Sequence, residues 1–162
     1  MGDIYDRSDR AGSNTTGDVY DRSDRFEMIA ACNREILVDS ANAILDGETE
    51  VRILQEPTPQ LVMQQVTEPV EKRPFNLGEV LVTAAEVELE EERGFAMVAG
   101  KSEAKAVSGA IVDAAVAAGH SRSETIASDL EGATAARENR RQRQWAESRA
   151  TTVEFETMED EL

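Results

Sequence analysis

Gly100-Lys101-Ser102 is the triplet in this chain nearest to a chemical signature. A glycine followed by lysine and a hydroxyl ends the loop that cradles nucleotide phosphates, where backbone amides and an ammonium hold the anion. That loop needs an earlier glycine with four residues between. Phe95 stands at the required position, and Gly94 is one residue too far away. The intervening Phe-Ala-Met-Val-Ala reads as a strand rather than a flexible cradle. A weaker site survives, in which Lys101, Ser102 and the free amides of a following helix hold one anionic group. Plain helix capping explains the same residues.

Other reactive side chains are sparse. His120 is the only histidine and Cys32 the only cysteine. One of each cannot build a zinc site from the usual nitrogen and sulfur ligands, and no internal disulfide can form. His120 follows a helix-ending glycine, and no serine stands in a nucleophile-elbow context. Cys32 lies in an apolar helical pattern and reads as a buried structural thiol. Glu86, Glu88 and Glu90 alternate along one strand face, a pattern more typical of a solvated face than of acid–base or metal chemistry. The arginine run through Arg137, Arg140, Arg141 and Arg143 stands out in a chain of net charge -16. It fits a solvated helix face paired with Glu138 and Glu147, or a surface for docking an acidic partner or phosphate. Trp145 beside it suits an interface anchor.

These residues rest on elements that the spacing specifies. From Leu81, the residues Ala85, Val87 and Leu89 point one way. Val80 and Val82 point the other, followed by the three glutamates, which is a period of two. Glu90-Glu91-Glu92 is a turn, and Phe95 to Ala99 returns as the second strand of a hairpin. Ser102 is placed to cap a helix in which Ala104, Val107, Ile111, Ala114, Ala115 and Ala118 recur, and Gly119 ends it. Small side chains let that helix lie close on the hairpin, an α+β nucleus.

Residues 1–22 are polar. Gly2 to Arg10 recurs as Gly17 to Arg25 with Ile4 exchanged for Val19, which suggests a disordered tail. Phe26, Ile29 and Ala30 begin a helix that breaks near Asn33, and Ile36, Leu37, Ala41, Ile44 and Leu45 form a second. Glu50 to Gln55 and Leu61 to Val66 read as strands on either side of a Pro57-Thr58-Pro59 turn. Pro69 to Pro74 reads as a linker. Ser121 and Glu124 fit a capping box. Ile126 to Leu130 is ambiguous, Ala133 to Arg149 is helical, and Thr151 to Met158 alternates as a C-terminal strand. Val153 and Phe155 share one face of that strand, and Phe155 joins Val80, Val82, Arg137, Arg140, Arg141 and Trp145 as an interface candidate. The expectation is one α+β domain over residues 23–158. It has a largely antiparallel sheet of about four to five strands, covering helices, N-terminal helices and a C-terminal helix plus strand. Residues 159–162 form an acidic tail.

The charge balance repels phosphodiester backbones and anionic membranes, so neither nucleic acid nor a membrane is an expected partner. Lysine appears only at positions 72, 101 and 105, so the acidic excess resembles adaptation to high salt. No signal peptide or spanning segment is visible, and the expected compartment is the cytoplasm.

Phe75-Asn-Leu-Gly-Glu-Val-Leu-Val-Thr83, Gly94-Phe-Ala-Met-Val-Ala-Gly100, the helix through Ala110 to Ala114 with Asp113, and Thr152-Val-Glu-Phe-Glu-Thr-Met158 resemble, in that order, the PhnG family. The similarity runs from about Phe26 to Met158. Family members often carry a larger polar residue after the strand threonine; here it is Ala84. The resemblance implies the small subunit of a carbon–phosphorus lyase system, assembled with PhnH-, PhnI- and PhnJ-like subunits. With PhnI-, PhnH- and PhnL-like proteins, the family is linked to attack of an alkylphosphonate on the ribose anomeric carbon of ATP, releasing adenine. It implies no cofactor in this chain. ATP is the co-substrate of the complex, and an iron–sulfur cluster and metals are expected in partner subunits. Competing readings are a free-standing anion- or small-molecule-binding protein and a structural dimerisation module.

Overall fold

The structure is a computed structural model that describes residues 21–47 and 49–150. Helices α1 (Arg22–Ala31) and α2 (Arg34–Leu45) lead into strands β1 (Val51–Thr67), β2 (Pro74–Leu89) and β3 (Glu92–Ala99). Helices α3 (Glu103–Ala117) and α4 (Ser123–Ala150) follow. Among the described residues the sheet has three antiparallel strands in the order β1-β2-β3, fewer than the four to five expected. The expected C-terminal strand, with Phe155, lies outside the described residues.

The missing strand boundary is at Pro57-Thr58-Pro59. No turn forms there, and β1 runs 17 residues without a break. An edge strand donates only every other amide to its neighbour, so a proline is tolerated where its missing N–H would face outward. The register shifts between Ile53/Gln55 and Gln55/Thr58 absorb the distortion. The expected linker is instead a hairpin turn, and Pro74 already pairs with Thr67 in β2. The Glu68 carboxylate closes this turn by accepting from the amides of Val70, at 2.8 Å, and Glu71. Those amide bonds hold its pKa below the ordinary carboxylate value.

The expected hairpin with a covering helix is present. Ala85, Val87 and Leu89 of β2 are fully buried with Ala96 and Val98 of β3, under α3. Leu81 departs from that pattern: it is exposed, because β3 ends opposite Val82 and no described residue covers the sheet beyond it. The hairpin turn is tighter than expected. Leu89 pairs with Glu92, which leaves Glu90 and Glu91 as a two-residue loop, both at positive φ.

Helix α3 is buried almost all round, as befits a central helix. The sheet lies on one side of it and α2 packs on another. Close approach depends on two glycines. A Cβ at Gly94 would stand 2.0 Å from the Ala110 carbonyl oxygen, and one at Gly109 would stand 2.7 Å from Ile29 Cγ2. Ile29 from α1, Cys32 just after it, and Leu37, Ala41 and Ile44 from α2 complete the core. The break between these helices falls at Cys32-Asn33, and Cys32 is buried.

Beyond Gly119 there is a single 28-residue helix rather than an ambiguous segment followed by a shorter one. It begins at Ser123, and the Ser123 hydroxyl donates to the His120 carbonyl at 2.6 Å. Ile126, Ala127 and Leu130 are buried, which settles that stretch as helical.

Candidate functional site

The Lys101-Ser102 corner is organised from β2. Thr83, fully buried, donates its hydroxyl to the Gly100 carbonyl at 2.7 Å and accepts from the Ser102 amide at 3.1 Å. The Gly100 amide donates to the Leu81 carbonyl at 2.8 Å. Ser102 stands at the N-cap position of α3, but its side chain makes no capping bond, contrary to expectation. Thr83 holds the corner in its place. Lys101 is exposed and Ser102 is half-buried.

Two of the three glutamates, Glu88 and Glu86, are ion-paired. Arg52 reaches Glu88 at 2.6 Å, and Arg93 lies 3.7 Å from Glu86. Both are cross-strand arrangements, since Glu88 stands opposite Arg52 on β1 and Arg93 on β3. Among the described residues no three His, Cys, Asp or Glu side chains converge as a metal site. The His120 ring accepts from the Arg122 amide at 3.2 Å, a local turn contact.

One buried polar centre escaped sequence reasoning as a contact. Asp113 projects from α3 and accepts from Arg25 Nε at 2.6 Å and from the Phe95 amide at 3.0 Å. Arg25 and Asp113 are both almost wholly buried. The Phe95 amide belongs to the edge of the sheet left open by β3, so Asp113 occupies a position that another strand would otherwise take. Phe26, next to Arg25, stacks on Phe95 with ring centroids 6.0 Å apart. This centre ties α1, α3 and β3 together. Its sequence signals were Asp113, named in the helix motif of the family resemblance, and Arg25 at the end of the second repeat copy; neither pointed to the other. Lys105 also fastens α1, donating to the Ala30 carbonyl at 2.9 Å. Burial lowers its pKa and raises that of Cys32.

The interface candidates fall in three places. Val82 is buried opposite Ala99, whereas Val80, just past the end of β3, is exposed. Arg137 lines a groove between α1 and α4 with Asp24, Glu27 and Met28, where α4 leaves the body. Arg140, Arg141 and Trp145 lie beyond it. Every residue from 135 to 149 is exposed, so α4 projects roughly 22 Å as an arm at 1.5 Å per residue. Arg137, Arg141 and Trp145 are four apart and share one side of this arm, and Trp145 is 69% exposed. A shallow groove lies along Glu138, Arg141 and Trp145. A separate groove of about 500 Å³ runs between α2 and α4, past Ile36, Ala43, Ile126 and Ala133. No described helix is long and apolar enough to cross a membrane.

Among the described residues the architecture is thus a small α+β body that presents projecting elements rather than a convergent set of metal-ligating groups. Comparison with protein families matches residues 20–159 to PhnG, described as phosphonate metabolism protein PhnG. The chain belongs to this family, which places it in phosphonate metabolism as a subunit of the carbon–phosphorus lyase complex. No curated protein matches it significantly.

Proposed function

We propose that the chain is a noncatalytic subunit of the assembly that transfers an alkylphosphonate to the ribose C1′ of ATP. In that reaction a phosphonate oxygen attacks the anomeric carbon, the bond from C1′ to the base breaks, and adenine leaves. The chemistry belongs to a PhnI-like partner, with PhnH- and PhnL-like proteins assisting. A PhnJ-like subunit with an iron–sulfur cluster acts later on the carbon–phosphorus bond. This chain contributes surfaces and carries no cofactor of its own.

The observation that carries this reading is the arm of α4. A polar helix gains little from its own sequence in water and is held by the apolar face it buries. Residues 135–149 bury none, yet they concentrate arginine and the one tryptophan of the chain. Arginine and tryptophan are the side chains that dominate binding energy at interfaces. The arm therefore fits an acidic groove on a partner subunit.

The test is co-expression with the PhnH-, PhnI- and PhnJ-like subunits, followed by size measurement and an adenine-release assay with the PhnL-like protein added. Wild-type chain should enter the complex, and omitting it should abolish adenine release. Arg140→Glu with Arg141→Glu should weaken co-purification. Unchanged assembly would remove the arm from the interface, and adenine release by the chain alone would overturn the noncatalytic assignment.

A further inference from the structure

The β1–β2 ribbon extends well past the body. Beyond Val82↔Ala99, β2 has no partner on the β3 side among the described residues, while its pairing with β1 continues from Leu61↔Leu81 to Thr67↔Pro74. Directly paired residues share a face. Leu61, Met63 and Leu81 therefore lie on one face, and Val62 and Val80 lie on the other. The register shift between Gln64 and Gln65 places one extra residue on β2. That shift brings Phe75, paired with Val66, onto the side of Val80. Leu61 is 60% exposed and Phe75 45%. Glu79 is the only charge in the strands from Thr58 to Thr67 and Pro74 to Ala84, in a chain of which 31% is charged.

We propose that this ribbon inserts into a slot with two apolar walls on a different polypeptide, a subunit of the same complex. The identity of the partner rests on the function proposed above. A two-stranded ribbon is marginal in water without a covered face, and this one needs cover on both. Stacking against a second copy would cover one face, and net charge -16 sets the two copies against each other. Among the described residues nothing covers either face, since Leu61 and Met63 on one and Val80 and Phe75 on the other are all exposed. An uncharged slot that grips both faces meets each requirement. The β1 edge between Leu61 and Thr67, unpaired among the described residues, also offers main-chain hydrogen bonds to a strand in the wall of the slot.

The test uses the full chain co-expressed with the PhnH-, PhnI- and PhnJ-like subunits. One variant carries Leu61→Glu with Leu81→Glu, and a second carries Phe75→Glu with Val80→Glu. All four positions are exposed, so melting of the isolated variants should stay within about 2 °C of wild type. Each variant should lower recovered complex about ten-fold or more. Hydrogen exchange should show residues 61–67 and 75–81 protected in the wild-type complex and open in the free chain. Assembly unaffected by either variant, or sensitive on one face only, overturns the slot while leaving the subunit reading intact. Failure of the wild-type chain to assemble sinks both. Self-association of the wild-type chain that the variants abolish makes a second copy the occupant, and also overturns the proposal.

Discussion

Asp113 shows how much one side chain holds in a small fold. Its two oxygens serve a guanidinium from α1 and an amide from the edge of β3; the two side chains are buried and the amide partly so. Removing Asp113 takes the buried carboxylate from Arg25 and the acceptor from the Phe95 amide, and breaking such a pair costs about 3–5 kcal/mol. Asp113→Ala should therefore lower stability by roughly that amount in chemical denaturation and free the N-terminal helix. Cys32 carries a second expectation. Burial raises its pKa above the ordinary 9.0. The folded chain then keeps the thiol proton after the unfolded chain has released it. The contribution is fully present below pH 9 and is lost as the pH rises through the folded value. Lys105 works in the opposite sense: its lowered pKa means the folded chain gives up that proton first, so its cost eases as pH climbs toward 10.5. Comparing wild type with Cys32→Ala isolates the thiol. The wild type should lose stability relative to the variant above pH 9, and native Cys32 should resist a thiol reagent until the chain unfolds.

Among the elements, the β2–β3 hairpin was legible because its alternation and the small-residue spacing of α3 are local signals for one arrangement. The turn joining the strands shows where local rules were overridden. Glu90 and Glu91 both adopt positive φ, conformations that glycine and asparagine tolerate and glutamate does not favour. The packing of Val87, Leu89, Ala96 and Val98 enforces the register and hence the two-residue loop. Replacing the pair by Asn-Gly should stabilise the fold by about 1 kcal/mol, read as a raised melting temperature. A lower melting temperature would mean that the two carboxylates hold the turn in some other way. The Pro57–Pro59 misreading has the complementary cause. Proline signals a turn in isolation, but an edge strand has outward positions where a missing N–H costs nothing. Whether a strand lies at an edge is a property of the sheet, which the segment itself does not encode.

Over the whole molecule, net charge and projecting parts set behaviour. A net charge of -16 on a chain of 162 residues destabilises the compact state by self-repulsion, and salt screens that repulsion. The melting temperature of the isolated chain should rise steadily between dilute buffer and molar potassium chloride, the reverse of what a fold held by surface ion pairs would show. The basic arm and the ribbon, whose strands carry Glu79 as their one charge between Thr58 and Ala84, are the exceptions to this acidic surface, and both leave the body. Of the interface candidates named from sequence, the arginine and tryptophan positions beyond Arg137 lie on the arm and Val80 on the ribbon. Val82 is shielded by the end of β3, and Phe155 lies outside the described residues.

Composition and periodicity alone determined the helix–hairpin core, the scarcity of reactive groups and the acidic charge, because each depends on residue type and near neighbours along the chain. The motif order also pointed to the family. Only the tertiary structure decided that β1 and β2 outrun β3, that α4 outruns the body, and that Arg25 meets Asp113 across 88 positions. Those outcomes depend on where one element ends relative to another in space, and no local pattern carries that information.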